Sequence, residues 1–304
     1  MMKFSHLALT LGLSTLIAAL PAQAGTRLDK IKETKTIYLG YTNNAIPFSY
    51  VDSENLDNQT PMGYSIDVCK DVVEQLSKSL NEPLKVAYYP VTHANRLLAL
   101  ADNRIDLLCS DISNTQERQK MVNFSPAIFI TSIRFVTLAK SPIVTLEDLK
   151  GKNVTSTAGT RPLAWLSKTN QDLHMHMNII PAQTLAQGFN QVTLGKADAY
   201  FMDDVLLSGF IANSQNPQDY RISGELYSDE PYALALPKED SELQDLVNQA
   251  IDQIIRSGRL ESYYTKWFEQ PIPPKNINLN LPASKAFQDL IQHPDQPRVA
   301  KDYE

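Results

Sequence analysis

Cysteine is scarce in this sequence. The 304 residues include two, Cys69 and Cys109, which lack the close-spaced thiolate pattern of a structural metal site. In an oxidising compartment the two can pair with each other. Basic charge is also short. Against 34 Asp and Glu stand 28 Lys and Arg, a net charge of −6, which leaves no basic footprint for a nucleic-acid partner. Beyond residue 24 no apolar run is long enough to cross a bilayer, so direct membrane insertion is not expected. There is no G-x-S-x-G elbow, no Walker loop and no evident nucleophile–base–orienter set. His174 and His176 alternate, which predicts one face of a strand; no third ligand accompanies them, so neither a metal nor another cofactor is expected. Internal repeats and low-complexity stretches are missing too.

The start of the chain decides the compartment. Lys3 precedes an apolar run from Leu7 to Leu20, and Pro21-Ala22-Gln23-Ala24 supplies a small-x-small cleavage pattern. Residues 1–24 therefore read as a secretory signal peptide. No Cys stands at the cleavage point, which argues against a lipid anchor. The expectation is a free protein starting near Gly25, in the periplasm of a Gram-negative-type cell. Removing 24 residues leaves 280, and losing Lys3 takes the charge from −6 to −7. That length suits one large domain or two of ordinary size.

Short β-like runs then alternate with helical ones, the pattern of an α/β fold with parallel strands. Thr36–Tyr41, Leu84–Val91 and Ile105–Cys109 read as strands. Ile66, Cys69, Val72, Val73, Leu76 and Leu80 recur at helical spacing. The long β-rich run from Ile128 to Leu138 can cross from one lobe to another, after which the pattern restarts. Val154 begins a strand, Pro162 opens a helix, Met175–Ile180 is a strand, Thr184–Leu194 a helix and Ala197–Met202 a strand. Tyr232–Leu236 can lead back. The division expected is lobe 1 from 25–130 plus 232–304 and lobe 2 from 131–231; a single doubly wound domain is the alternative. Two closing helices carry core stripes, Leu243 to Ile255 and Leu260 to Phe268.

Four places carry chemistry. After the Ile105–Cys109 strand come Ser110, Asp111, Ser113 and Arg118; strand carboxyl ends bind ligands in open α/β sheets, and a guanidinium fork suits a carboxylate. Thr155 to Pro162 is a hydroxyl-rich turn with Thr157, Gly159, Thr160 and Arg161 feeding a helix start, an anion-binding geometry. Asp203-Asp204 follows a strand and suits an ammonium group. His93 and Arg96 flank the turn after the second strand. Each has a plain alternative as an ordinary cap or solvated turn.

On these residues the chain resembles the type II periplasmic solute-binding proteins of the polar amino-acid ABC transporter family, and is similar to their glutamate/aspartate-binding members. The matching segments include Pro47-Phe48-Ser49-Tyr50, Gly63-Tyr64-Ser65, Asn95-Arg96, Glu117-Arg118-Gln119, Met202-Asp203-Asp204 and Trp267-Phe268. The tail Pro271-Ile272-Pro273-Pro274-Lys275-Asn276 matches that subgroup most specifically. The resemblance implies two α/β lobes, a two-stranded hinge, and an amino acid closed between them for delivery to a membrane permease. It implies no catalysis and a monomer. By motif, Arg118 would clamp the ligand α-carboxylate, assisted by Ser113, with Thr157 and Thr160 reaching from the other lobe. Asp203 would pair with the α-ammonium, and Arg96 would face a side-chain carboxylate. Asp111 stands where the family has a small hydroxyl residue. Thr42, His93, Leu185 and Arg161 also depart from the pattern, which leaves glutamine, asparagine or another polar amino acid open beside glutamate or aspartate. A dehydratase on the same fold and a sensory role are the rival functions.

Overall fold

The computed structural model describes residues 26–55 and 59–300. The expected signal peptide lies outside them. In chain order, α1 (Arg27–Thr34) leads to β1 (Thr36–Tyr41), β2 (Asn44–Ala45), β3 (Ser49–Tyr50), α2 (Tyr64–Ser79), β4 (Lys85–Pro90) and α3 (Arg96–Ala101). Next come β5 (Leu107–Leu108), α4 (Gln116–Gln119), β6 (Val122–Thr131), β7 (Ile133–Leu138), β8 (Asn153–Thr157) and α5 (Arg161–Asp172). The rest is β9 (Asn178–Ala182), α6 (Leu185–Thr193), β10 (Ala199–Asp203), α7 (Asp204–Ala212), β11 (Tyr220–Ile222), β12 (Glu230–Pro237), α8 (Ser241–Arg256), α9 (Arg259–Tyr264) and α10 (Lys285–Gln292).

The strands form two five-stranded sheets, β4-β1-β5-β12-β6 and β11-β7-β10-β8-β9. Both are mixed. Strands joined through helices pair in parallel, β1 with β4 and β5, and β8 with β9 and β10. Strands next to the crossings pair antiparallel, β12 with β5 and β6, and β7 with β10 and β11. The chain leaves the first sheet through Ser132, between β6 and β7, and returns between β11 and β12. Glu230 lies opposite Thr131 and Pro231 opposite Ile130, so both crossings meet the first sheet side by side.

The helices bury the stripes their periodicity predicts. On α2, Ile66, Cys69, Val72 and Leu76 are buried; on α8, Leu243, Val247, Ala250, Ile251 and Ile254 are. Each large aliphatic side chain so buried contributes roughly 1.5–3 kcal/mol. Asp240 starts α8: one oxygen accepts from Leu243 N at 3.0 Å, the other from Leu28 N at 2.7 Å, tying α8 to α1. Gly258, at φ +75°, ends it in the left-handed conformation that favours glycine. A disulfide joins Cys69 on α2 to Cys109 just past β5, with Cα atoms 6.1 Å apart. The two lie 40 positions apart in sequence, and closing a loop of that length contributes about 4 kcal/mol. It staples the helix to the strand that leads into Ser110 and Asp111. Phe48, Tyr64, Phe129, Tyr232 and Phe268 interlock behind the crossing, with Phe48 and Phe129 centroids 5.0 Å apart.

Two local expectations need correction. His174 and His176 do not share a strand face; both take left-handed backbone, φ +49° and +53°, and β9 begins only at Asn178. The alternation instead serves Met175 and Met177, which are buried, while Asn170 grips the Met177 N–H and C=O. The Ile105–Cys109 run narrows to Leu107–Leu108, because Asp106 is buried and engaged by Arg27 at 2.9 Å.

Candidate functional site

The ends of β5 and β10 bring two aspartates into one buried region from opposite sheets. Asp111 follows β5 and is compensated from every side. His93 Nε2 lies 2.8 Å from its Oδ2, Ser110 Oγ donates to Oδ1 at 2.5 Å, and Arg96 Nη1 lies 3.6 Å from Oδ1. The same Arg96 Nη1 donates to the Asp111 main-chain oxygen at 2.8 Å. Thr42 extends the network, its hydroxyl 3.0 Å from Ser110 Oγ. Burial alone raises a carboxyl pKa, but the His93, Arg96 and Ser110 contacts outweigh it and hold Asp111 well below the usual carboxylate range. Burial lowers the Arg96 pKa from its ordinary value, opposed by Asp111.

Asp203 ends β10 and is treated differently. Tyr232, from β12 of the first sheet, donates its hydroxyl to Oδ2 at 2.5 Å. Among the described residues the other oxygen, Oδ1, is buried without a hydrogen-bond partner. Burial, then the nearby Glu230 charge, pushes the carboxyl up to about 8. A buried acceptor left unpaired costs about 1–3 kcal/mol, so a cation arriving there relieves a real penalty. The expected Asp203-Asp204 pair is split: Asp204 turns away and accepts from Thr131 Oγ1 at 2.6 Å.

Arg118 is half-buried on α4, whose start Thr115 caps by accepting the Arg118 N–H at 3.1 Å. Its Nη1 donates to the Ser113 carbonyl at 3.0 Å. Among the described residues no carboxylate forms an ion pair with it. Burial and the Arg96 and Arg161 charges push its pKa down to about 9, which leaves it cationic at neutral pH. Ser113 sits against Tyr232 through a β-bridge, close to the aspartate that Tyr232 holds.

From the second sheet come Thr157, Thr160 and Arg161. Thr157 ends β8 and shares a hydrogen bond with Tyr200 OH at 2.8 Å; Thr160 donates to the Thr157 carbonyl at 2.6 Å. The helix α5 begins at Arg161, with Pro162 second. Arg161 turns its fork to Glu230 at the head of β12, 3.2 and 3.3 Å from the two carboxylate oxygens. Sequence reasoning missed Glu230 and Tyr232. The signal for Glu230 was present: a charge placed directly ahead of an apolar strand.

The two halves are closed on each other. A Cβ on Gly159 would lie 2.6 Å from the His93 carbonyl oxygen, and one on Gly209 2.5 Å from that of Ile46. Where they meet, a cavity of about 340 Å³ is lined by Leu97, Arg118 and Met121 on one side and by Thr160, Arg161 and Ala164 on the other. Two α/β lobes shut over a buried cluster of guanidinia and carboxylates define the class of two-lobe binding proteins.

Known proteins give the class its family. Residues 37–270 match the bacterial extracellular solute-binding proteins, family 3, and the chain belongs to that family. It is 41% identical over 268 residues to the L-glutamate/L-aspartate-binding protein of Pseudomonas aeruginosa, covering 88% of each chain. It is 37% identical over 290 residues to the glutamate/aspartate import solute-binding protein of Escherichia coli K12, covering 95% of this chain and 94% of that one. Among solved structures, a mutant ArgBP from T. maritima is similar with a TM-score of 0.70 at 26% identity, over 80% of this chain and 99% of that one. The fold is the two-lobe type II periplasmic-binding-protein fold, with β6 and β12 running into the hinge.

Proposed function

We propose that this protein binds one amino acid, glutamate or aspartate, between its lobes in the periplasm and hands it to the permease of an ABC transporter, without catalysing a reaction. The proposed division is lobe 1 from 25–130 plus 232–304 and lobe 2 from 131–231, with Thr131, Glu230 and Pro231 still paired in the first sheet where the crossings begin. The observation that carries the reading is that two groups without partners among the described residues feel each other's charge: Arg118, which has no carboxylate ion pair, and buried Asp203, whose Oδ1 accepts no hydrogen bond. Together they match the two ends of a zwitterion. The choice of an acidic ligand rests on the two relatives named for glutamate and aspartate.

The ligand first meets lobe 1, its α-carboxylate on Arg118 and beside Ser113. Closure then brings Asp203 to the α-ammonium and the start of α5 at Thr160 to the carboxylate. Differential contacts of this kind are what a ligand needs to shift an open–closed equilibrium. Arg96 and His93 shape the far end with Asp111, and Arg161 acts through Glu230 on the hinge strand. No cofactor is required.

Thermal shift across the amino acids tests the ligand, since a true one raises the melting temperature by mass action. Glutamate or aspartate is expected to give the largest shift; no shift with any amino acid overturns the reading. By calorimetry, Arg118→Ala weakens binding at least about tenfold through loss of a charge-assisted pair. Unchanged affinity removes Arg118 from the site.

A further inference from the structure

The family match ends at residue 270, yet the described chain continues to Ala300 and returns to the ligand cleft. Tyr50 OH donates to the Pro273 carbonyl at 2.7 Å, and Leu281 N to that of Phe268 at 3.0 Å. The helix α10 then docks Phe287 against Tyr264, centroids 4.4 Å apart, and against Phe129 on β6 at 5.9 Å. Past α10 the chain stands off the body over a cavity of about 550 Å³. It is pinned there by ion pairs, Asp295 with Arg256 at 2.6 Å and Arg298 with Asp289 at 2.8 Å. Its backbone then meets the body beside Asn114. Ala300, itself buried, donates its N–H to the Asn114 carbonyl at 2.8 Å, and Asn114 Nδ2 donates to the Arg298 carbonyl at 3.1 Å.

That place is the segment carrying Arg118. Its other edge is held by β12: Asn114 N donates to the Pro231 carbonyl at 2.8 Å, and Ala233 N to that of Ile112 at 3.1 Å. With the tail on the free edge, residues 112–115 lie between two backbones, bridged to Tyr232 on one side and Ala300 on the other. Both holds on Arg118, the Ser113 carbonyl and the Thr115 hydroxyl, come from those residues. We propose that the tail is a strap that positions Arg118, with Ala300 as its positioning residue. Without it, residues 112–115 would hang from one edge and the guanidinium would sample more orientations, an entropy that binding must then remove.

This rests on the reading that Arg118 holds the ligand carboxylate, and the experiment separates the two. Ala300→Pro removes the N–H that reaches Asn114, while Ala300→Ser keeps it. Glutamate titration by calorimetry is expected to give affinity weakened roughly tenfold in the proline variant, about the loss of one net hydrogen bond, and restored in the serine variant. In an Arg118→Ala background the proline change adds no further loss, because the strap acts through that residue. A merely structural tail would give additive losses. Hydrogen exchange of the ligand-free chain reads the strap without any ligand: residues 112–118 are expected to lose protection in Ala300→Pro and in a chain stopped after Gln292, with the protection of α8 unchanged. Unaltered exchange at 112–118, or additive losses in the double variant, overturns the proposal. Failure of the unmodified chain to bind glutamate or aspartate counts against the functional reading; the exchange result still decides the strap.

Discussion

Two buried aspartates stand at the ends of two strands, one in each lobe, and the protein treats them in opposite ways. Asp111 is surrounded by His93, Arg96 and Ser110, so its charge is stabilised before any ligand arrives. Asp203 has one tyrosine hydroxyl, an unpaired oxygen and a carboxylate neighbour in Glu230, so its charge is disfavoured until a cation comes. Under the proposed function, the buried carboxylate with partners serves the framework, whereas the one left without them receives the ligand's ammonium. Burial is the same for both; the partners make the difference.

The sharpest way to break this comparison is Asp203→Asn. Removing one partner of a buried charge pair costs roughly 3–5 kcal/mol, so affinity for the amino acid should fall at least about a hundredfold by calorimetry. The same experiment at pH 7 in buffers of different ionisation enthalpy should show close to one proton released on binding, and none in the variant. The sign follows from the raised pKa. The folded, ligand-free protein keeps a proton that the unfolded chain loses near pH 4, so this group's contribution to stability falls from about pH 4 to about 8 and is level above. Equal affinity in the variant would place the ligand's cation elsewhere.

Asp111→Asn should act on the other quantity. It leaves Arg96 and His93 buried beside a neutral group, so denaturant unfolding should show a loss of about 3 kcal/mol, with affinity changed less than tenfold. Because the Asp111 pKa is depressed, the stabilisation it gives is fully present above the unfolded value near 4 and is lost as pH falls further. A hundredfold loss of affinity at unchanged stability would reverse the two roles.

A smaller effect is expected from Gly159→Ala, which sharpens the comparison between open and closed lobes. Its Cβ would press on His93 O at φ +77°, and affinity should fall about tenfold, within the 1–3 kcal/mol typical of backbone strain. Gly151→Ala is the control. It has a similar φ of +70° but open space around the Cβ, so it should lose stability and keep its affinity.

The sheets and helices were legible because their signals are local. The stripe on α8 and the helix read from Thr184 onward carry signals within one or two turns of the residues they serve. The candidate site was legible in its members: Asp111, Ser113, Thr157, Thr160 and Asp203 sit at strand ends or on the turns that follow, where α/β sheets present ligand groups, and Arg96 and Arg118 stand on the short helices those turns lead into. Their partnerships were hidden. Glu230 meets Arg161 across 69 positions and Tyr232 meets Asp203 across 29, and no periodicity encodes such pairs. Adjacent acids looked like one feature, and only the pairing of Asp204 with Thr131 separates them. The two histidines misled because alternation is also what two methionines need to enter a core from a bent backbone.

The Cys69–Cys109 bond fastens the helix α2 to the strand that leads into Ser110, Asp111 and Ser113. Thiols stay apart where glutathione prevails, so a molecule still inside the cytosol lacks that fastening and its share of the folding energy. On the proposed export to the periplasm, the finished architecture becomes conditional on crossing the inner membrane, and a copy retained at its place of synthesis would be a softer, more protease-sensitive object than the one that arrives.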